Sequence, residues 1–188
     1  GLRFPGFVAR QVLFNCPLPL LPDAYAAAGI DTRVSPEVRQ AADYFVRQGR
    51  DADGLGAELS TPDLRRRYIE TFYGSRFWAT PGAFDRASAR FMAEPFAGAE
   101  VLRASFGNYE SALGTRPLSE PPRFFEPSPV PTVALYGPDD HVLWRDFPER
   151  CEVAFPDLIG PFVVPRAGHF LQWERAGLLN ATIAGFCG

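Results

Sequence analysis

The chain has 188 residues, of which 46% are hydrophobic and 22% charged, and its formal net charge is −3. This length and apolar content are sufficient for a buried core. The sequence contains no basic stripe, which argues against nucleic acid or an anionic membrane surface as a partner. No apolar run approaches the ~20 residues that cross a bilayer, so no membrane span is expected.

The first predicted element is a mostly apolar strand over residues 7–15, which ends before Pro17 and Pro19. A strand that is apolar on both sides is typical of a buried parallel sheet. We therefore interpret residues 1–16 as a core strand.

Residues 17–120 are predicted to form a helical domain. Ser35-Pro36-Glu37 and Ser60-Thr61-Pro62-Asp63 each combine an N-cap residue with a proline at the first helical position. The first of these helices is expected to stop at Gly49. Further helices are predicted over residues 85–94 and 97–113. The many aromatic side chains of this region predict a helical layer that covers an apolar surface.

A proline-rich connector over residues 117–131 leads to the last region, residues 121–188, which is predicted to be a core segment. Strands over 132–136 and 162–165 alternate there with helices near 144–155 and 171–186. This order predicts parallel strands joined by right-handed crossovers. The fold class is therefore α/β, with parallel core strands and an inserted helical domain.

Two polar side chains follow the last two predicted strands. Asp140 ends Gly137-Pro138-Asp139-Asp140, and His169 lies in Gly168-His169-Phe170. Active sites of open α/β sheets lie at the carboxyl ends of strands, and nucleophilic sites use an acid that orients a base. Asp139 is the competing acid, and an aspartate in such a turn also commonly serves only as a cap. The other histidine, His141, is expected to face solvent or act as a gate.

These two turns resemble the acid and histidine turns of the α/β-hydrolase family. The opening Phe4-Pro5-x-x-Val8 with Val12-Leu13-Phe14-Asn15 resembles the strand before that family's cap domain. The resemblance implies a partial α/β-hydrolase fold in which residues 17–120 are the cap. The family's order is nucleophile, acid, histidine, and no Gly-x-Ser-x-Gly occurs in this sequence. The nucleophile and oxyanion loop are therefore expected upstream of Gly1, and this chain alone is predicted to be inactive.

Two segments of the predicted cap resemble epoxide hydrolases. Asp43-Tyr44-Phe45 resembles their first cap-tyrosine segment, and Phe106-Gly107-Asn108-Tyr109-Glu110 resembles the second, where Arg normally follows the Tyr. The resemblance implies that an upstream Asp attacks an epoxide, that Tyr44 and Tyr109 stabilise the alkoxide, and that His169, oriented by Asp140, activates the hydrolytic water. It implies a small apolar substrate such as an epoxide, and neither a cofactor nor a metal. Ordinary packing is the alternative for both tyrosines.

Other functions remain open at this point. An esterase or a haloalkane dehalogenase uses the same acid and base. A non-catalytic, ligand-binding hydrolase-fold protein and a truncated product are alternatives of a different class. The residue at the missing nucleophile position, Asp, Ser or neither, would discriminate among them.

The cysteines bear on location and metal binding. Cys16, Cys151 and Cys187 are odd in number, widely spaced and flanked by apolar residues. Buried free thiols in a reducing compartment are the simplest interpretation, which predicts a cytoplasmic protein. No Cys-x-x-Cys or His-x-x-x-His spacing occurs, so no metal site is expected.

Overall fold

The computed structural model describes residues 1–32, 43–120 and 124–188. Contacts divide the chain into two compact units: residues 1–34 with 122–188, called here the sheet unit, and residues 35–121, called the helical unit. In chain order the elements are β1 (Gln11–Phe14), α1 (Pro22–Ala27), α2 (Asp43–Arg50), α3 (Ala52–Glu58), α4 (Pro62–Gly74), α5 (Arg86–Ala93), a 3₁₀ turn (Glu94–Ala97), α6 (Ala99–Ser105), α7 (Gly107–Ala112), β2 (Thr132–Tyr136), α8 (Phe147–Ala154), β3 (Leu158–Val163), α9 (Leu171–Glu174) and α10 (Ala176–Cys187).

The sheet unit is built on three parallel strands in the order β1-β2-β3. Gln11 pairs with Thr132, and Thr132 in turn pairs with Leu158. The predicted parallel sheet is confirmed. The first strand is shorter than expected, because a turn closed by the Phe7 N–H on the Phe4 carbonyl (3.1 Å) precedes it.

Each face of the sheet has its own apolar cluster. Side chains alternate along β2, so Ala134 belongs to one cluster and Val133 with Leu135 to the other. The first cluster contains Leu18, Leu21, Tyr25, Ala134, Phe147, Cys151, Ala154 and Phe155. The second contains Val133, Leu135, Val164, Ala167, Leu171 and Leu179.

The residues that directly follow β1 belong to the sheet unit. Leu18, Leu21 and Tyr25 are the reason, since all three are buried in the cluster that includes Ala134 of β2.

In the helical unit, local capping signals act as predicted. The Thr61 side chain accepts a hydrogen bond from the Leu64 N–H (3.2 Å) at the start of α4, and Asp85 caps α5. The predicted helix over 97–113 is two helices, α6 and α7, which meet at Phe106. The start signal at Ser35-Pro36-Glu37 lies outside the described residues.

Helix α2 ends at Arg50, one residue after the predicted stop at Gly49, but Gly49 has no positive φ and its glycine has another reason. It is buried within α2, where an added Cβ would lie 2.7 Å from the Tyr109 carbonyl oxygen and 2.6 Å from a Leu113 methyl carbon. Glycine is therefore needed here for the close approach of α2 to α7.

Within residues 1–32, 43–120 and 124–188, no helix combines the length and the apolar content that crossing a membrane requires.

Candidate functional site

The turn after β2 buries a carboxylate. The Asp140 side chain is fully buried, and its Oδ1 accepts hydrogen bonds from the N–H groups of Val142 (2.9 Å) and Leu143 (3.4 Å). These bonds fix the orientation of the carboxylate and direct its Oδ2 toward the turn that follows β3.

His169 lies on that second turn. Its Nδ1 is 2.9 Å from Asp140 Oδ2, and its side chain keeps 26% of its exposure. An ionised carboxylate only accepts hydrogen bonds, so we assign the proton to Nδ1. Nε2 then carries the basic lone pair, which is the arrangement that lets an imidazole take a proton from a reacting group.

The structure thus brings together the acid and the base that the sequence singled out. The backbone N–H of Asp139 donates to the Ala167 carbonyl (3.0 Å), whereas the Asp140 carboxylate lies 2.9 Å from the imidazole. His141 is exposed. Of the two neighbouring aspartates, Asp140 is therefore the partner of the histidine.

The two turns are in close contact through their backbones. An added Cβ on Gly137 would overlap the Ala167 carbonyl. The φ of Gly137 is not positive, so backbone conformation is not the reason for a glycine here. The glycine is needed because the acid turn lies directly against the histidine turn.

Glu174, at the end of α9, holds the histidine turn and was not singled out from the sequence. Its Oε2 accepts the Gly168 N–H (2.8 Å) and its Oε1 accepts the Phe170 N–H (3.2 Å). The amides on both sides of His169 are therefore bound by one carboxylate. The sequence does contain a signal for this role. In a capping box, an acidic side chain in the first turn of a helix binds a backbone N–H just before that helix, and Glu174 is placed in a similar way.

Asn15, directly after β1, was also missed as a site residue. It is 5% exposed and bonds both turns, to the Gly137 N–H and the Gly168 carbonyl. No local sequence pattern predicts these two hydrogen bonds, because Gly137 and Gly168 are far from Asn15 in the chain.

Cys16, next to Asn15, is not an activated nucleophile. Burial raises the pKa of the Cys16 thiol to about 11. The thiol is therefore protonated at neutral pH, and the thiolate is the reactive form.

The two predicted tyrosines meet inside the helical unit. The ring centroids of Tyr44 on α2 and Tyr109 on α7 are 5.8 Å apart, edge to face. Tyr44 also contacts Phe72 and Trp78 edge to face. Burial raises the pKa of Tyr109, so this phenol is a neutral hydrogen-bond donor at pH 7.

Tyr68 is a third phenol near this pair, and sequence reasoning did not select it. The Gln48 amide donates to its hydroxyl oxygen at 2.7 Å, and burial raises its pKa. Gln48 is itself buried within α2, so this hydrogen bond is largely removed from water.

Glu110 replaces the arginine of the epoxide hydrolase pattern and has a structural role of its own. Its carboxylate forms a two-bond pair with the Arg103 guanidinium at 2.8 and 2.9 Å, and Arg103 also binds Asp53 (2.7 Å). Arg103 holds the pKa of the Glu110 carboxyl below its usual range. The pair joins α6 to α7, the helix that carries Tyr109.

In the part of the chain that the structure describes, no three His, Cys, Asp or Glu side chains form a group able to hold a metal ion.

Comparison with known proteins defines the class of fold. No protein-family model and no curated protein matches the chain. Among solved structures, the epoxide hydrolase CorEH matches with a TM-score of 0.70 and 13% identity over 95% of this chain and 58% of that one. The juvenile hormone epoxide hydrolase from the silkworm Bombyx mori gives 0.64 and 18%, over 93% and 47%. The Bacillus megaterium epoxide hydrolase gives 0.63 and 18%, over 98% and 62%.

These similarities show an α/β-hydrolase fold. The chain spans between 47% and 62% of the length of the three structures named above. It therefore has part of that fold.

Proposed function

We propose that this chain is the C-terminal portion of an epoxide hydrolase whose nucleophile lies on a segment upstream of Gly1. The observation that carries the proposal is the 2.9 Å contact between Asp140 and His169 at the ends of neighbouring parallel strands. In α/β hydrolases the acid and the histidine follow the nucleophile in the chain. The epoxide hydrolases among the structural neighbours support the same assignment.

The first chemical step would form an ester. An upstream aspartate attacks an epoxide carbon, the carbon–oxygen bond of the ring breaks, and the oxygen gains negative charge. Tyr44 and Tyr109 donate hydrogen bonds to this oxygen, which finally takes up a proton and becomes the first hydroxyl of a diol.

The second step would release the product. His169 Nε2 takes a proton from water, and the resulting hydroxide attacks the ester carbonyl carbon. Collapse of the tetrahedral intermediate breaks the bond to the second diol oxygen, which takes the proton of the His169 imidazolium. The regenerated aspartic acid loses the remaining water proton to solvent, which replaces the proton that the first alkoxide took up, and the diol is released. Asp140 stabilises the imidazolium that forms and keeps the ring in the correct tautomer.

The tyrosine pair is what favours an epoxide over other substrates. The acid and base alone fit an esterase or a haloalkane dehalogenase equally well. Two phenols in ring contact supply neutral hydrogen-bond donors for an oxygen that becomes an alkoxide. A small apolar epoxide is the substrate class that follows.

Determining the coding sequence upstream of Gly1, and assaying the longer protein with styrene oxide, tests this function. An aspartate on a strand-to-helix turn together with diol formation is the expected result. A serine there with ester hydrolysis would indicate an esterase instead. A turn with neither residue and no turnover would indicate a non-catalytic ligand-binding protein.

Location and partners belong to the same proposal. We propose a reducing, cytoplasmic setting because Cys16, Cys151 and Cys187 are all free thiols. The net charge of −3 gives no support for binding nucleic acid.

A further inference from the structure

Asn15 connects the two turns that carry Asp140 and His169. Its Oδ1 accepts the Gly137 N–H at 3.0 Å, and its Nδ2 donates to the Gly168 carbonyl. Gly137 begins the acid turn, and Gly168 immediately precedes His169. One side chain directly after β1 therefore binds both turns, although it comes from a third segment of the chain.

The backbone conformation and the burial of Asn15 restrict which residues fit this position. Its φ is +41°, and asparagine enters this left-handed region more readily than most residues. Its side chain is buried, so an unpartnered polar group here would be costly. A carboxamide carries its acceptor and its donor on separate atoms, which matches the Gly137 N–H and the Gly168 carbonyl at once.

We infer that Asn15 is a positioning residue, whose carboxamide sets the spacing of the two turns and so keeps Asp140 Oδ2 within hydrogen-bond distance of His169 Nδ1. The catalytic meaning of this inference rests on the proposed function. The coupling itself is measurable without turnover, because it determines which nitrogen of His169 carries the proton.

The first test measures the tautomer of His169 in the longer protein. Long-range imidazole ¹H–¹⁵N correlation at mildly alkaline pH reports which ring nitrogen carries the proton. Asn15→Gly removes the carboxamide while a glycine still accommodates the positive φ. Gln11→Ala is the matched control: it removes a carboxamide from the other end of β1, where Nε2 donates to Thr132 Oγ1 at 2.7 Å. Wild type and Gln11→Ala are expected to show the proton on Nδ1, and Asn15→Gly to lose that signature.

A second variant protects the test against a failure to fold. Asn15→Ser keeps one hydroxyl in the buried position, and is expected to give a loss between those of wild type and Asn15→Gly. An Nδ1–H signature that survives in Asn15→Gly or is at the wild-type level in Asn15→Ser would overturn the inference. An equal loss in Gln11→Ala would do the same, since it would reflect general destabilisation.

The second test is single-turnover kinetics in the longer protein. Asn15→Gly is expected to slow hydrolysis of the ester by about 100-fold, as for a small displacement of a catalytic group, while ester formation keeps its rate. Slowing of both steps alike would overturn the positioning role. A wild-type protein that forms no ester contradicts the proposed function, and the tautomer measurement then decides on Asn15 separately.

Discussion

The two oxygens of the Asp140 carboxylate have different tasks. Oδ1 is bound to backbone N–H groups, and Oδ2 is bound to His169. In Asp140→Asn an amide would face the imidazole and favour the wrong tautomer, so we expect a loss of turnover on the order of 10⁴-fold. Steady-state hydrolysis of styrene oxide by the longer protein measures this. Asp139→Asn is the control and is expected to behave as wild type, and comparable losses in both variants would contradict the assignment of Asp140.

Tyr44 and Tyr109 are expected to act on ester formation. Each Tyr→Phe substitution should cost about 2.7–4 kcal/mol of transition-state stabilisation, by analogy with oxyanion-hole donors. The double variant should lose less than the sum, because both phenols serve one oxygen. Single-turnover ester formation is the measurement, with Tyr73→Phe as the control, since Tyr73 packs on Phe84 in the same unit. If Tyr73→Phe slows ester formation as much as Tyr44→Phe and Tyr109→Phe do, the epoxide assignment is contradicted.

The same kinetics has a predicted dependence on pH. The neutral phenol is the donor, and burial raises the pKa of Tyr109 above the ordinary value of about 10. The raised value favours the protonated form, so ester formation should persist as the pH rises through 10 and fall only above it. A fall centred below pH 10 in the wild type, absent from Tyr109→Phe, would contradict this role.

At the scale of elements, the contact between α2 and α7 depends on the absence of a side chain at Gly49. A methyl group there would meet the Tyr109 carbonyl at 2.7 Å, so Gly49→Ala should lower the free energy of unfolding by about 1–3 kcal/mol. Gly56→Ala is the control, because nothing lies within 4 Å of an added Cβ on α3. That change should instead stabilise by about 0.5–1 kcal/mol. Denaturant unfolding measures both changes in the free energy of unfolding. A Gly49→Ala variant that is more stable than the wild type would contradict the close contact between α2 and α7.

The sequence predicts the elements whose signals are local. Thr61 caps the helix that its start signal predicted, and β2 spans the predicted residues 132–136. The helix that was predicted to stop at Gly49 ends at Arg50, but the contact of Gly49 with the Tyr109 carbonyl could not be predicted, because it depends on the neighbouring helix. Packing between elements decides such cases.

In the candidate site, too, local signals were predictable and contacts between distant segments were not. Asp140 and His169 were predicted because each directly follows an apolar strand, and parallel strands end at one edge of a sheet. The contacts of Asn15 span 122 and 153 residues of chain. Such contacts depend on strand order and register, which the composition of a single strand does not contain.

At the scale of the whole molecule, the sheet that the described residues form has β1 and β3 as its edge strands. Ile159, Phe162 and Val163 of β3 are about half exposed. Open strand edges and exposed apolar side chains promote association. We therefore expect the 188-residue chain alone to self-associate and to lack turnover, measured by light scattering and by assays with epoxides and p-nitrophenyl esters. Saturable hydrolysis that survives repurification, or a monomer with a sharp cooperative melt, would be evidence against this.

The most direct measurement on the proposed function is the intact mass of the His169→Ala variant of the longer protein after incubation with an epoxide. Attack on the epoxide does not need the imidazole, whereas hydrolysis of the ester does. The variant should therefore gain the mass of one substrate molecule and stop there, while the wild type turns over and shows no lasting adduct. A variant that accumulates no adduct and still forms diol at the wild-type rate would contradict the role of His169 as the base that activates water.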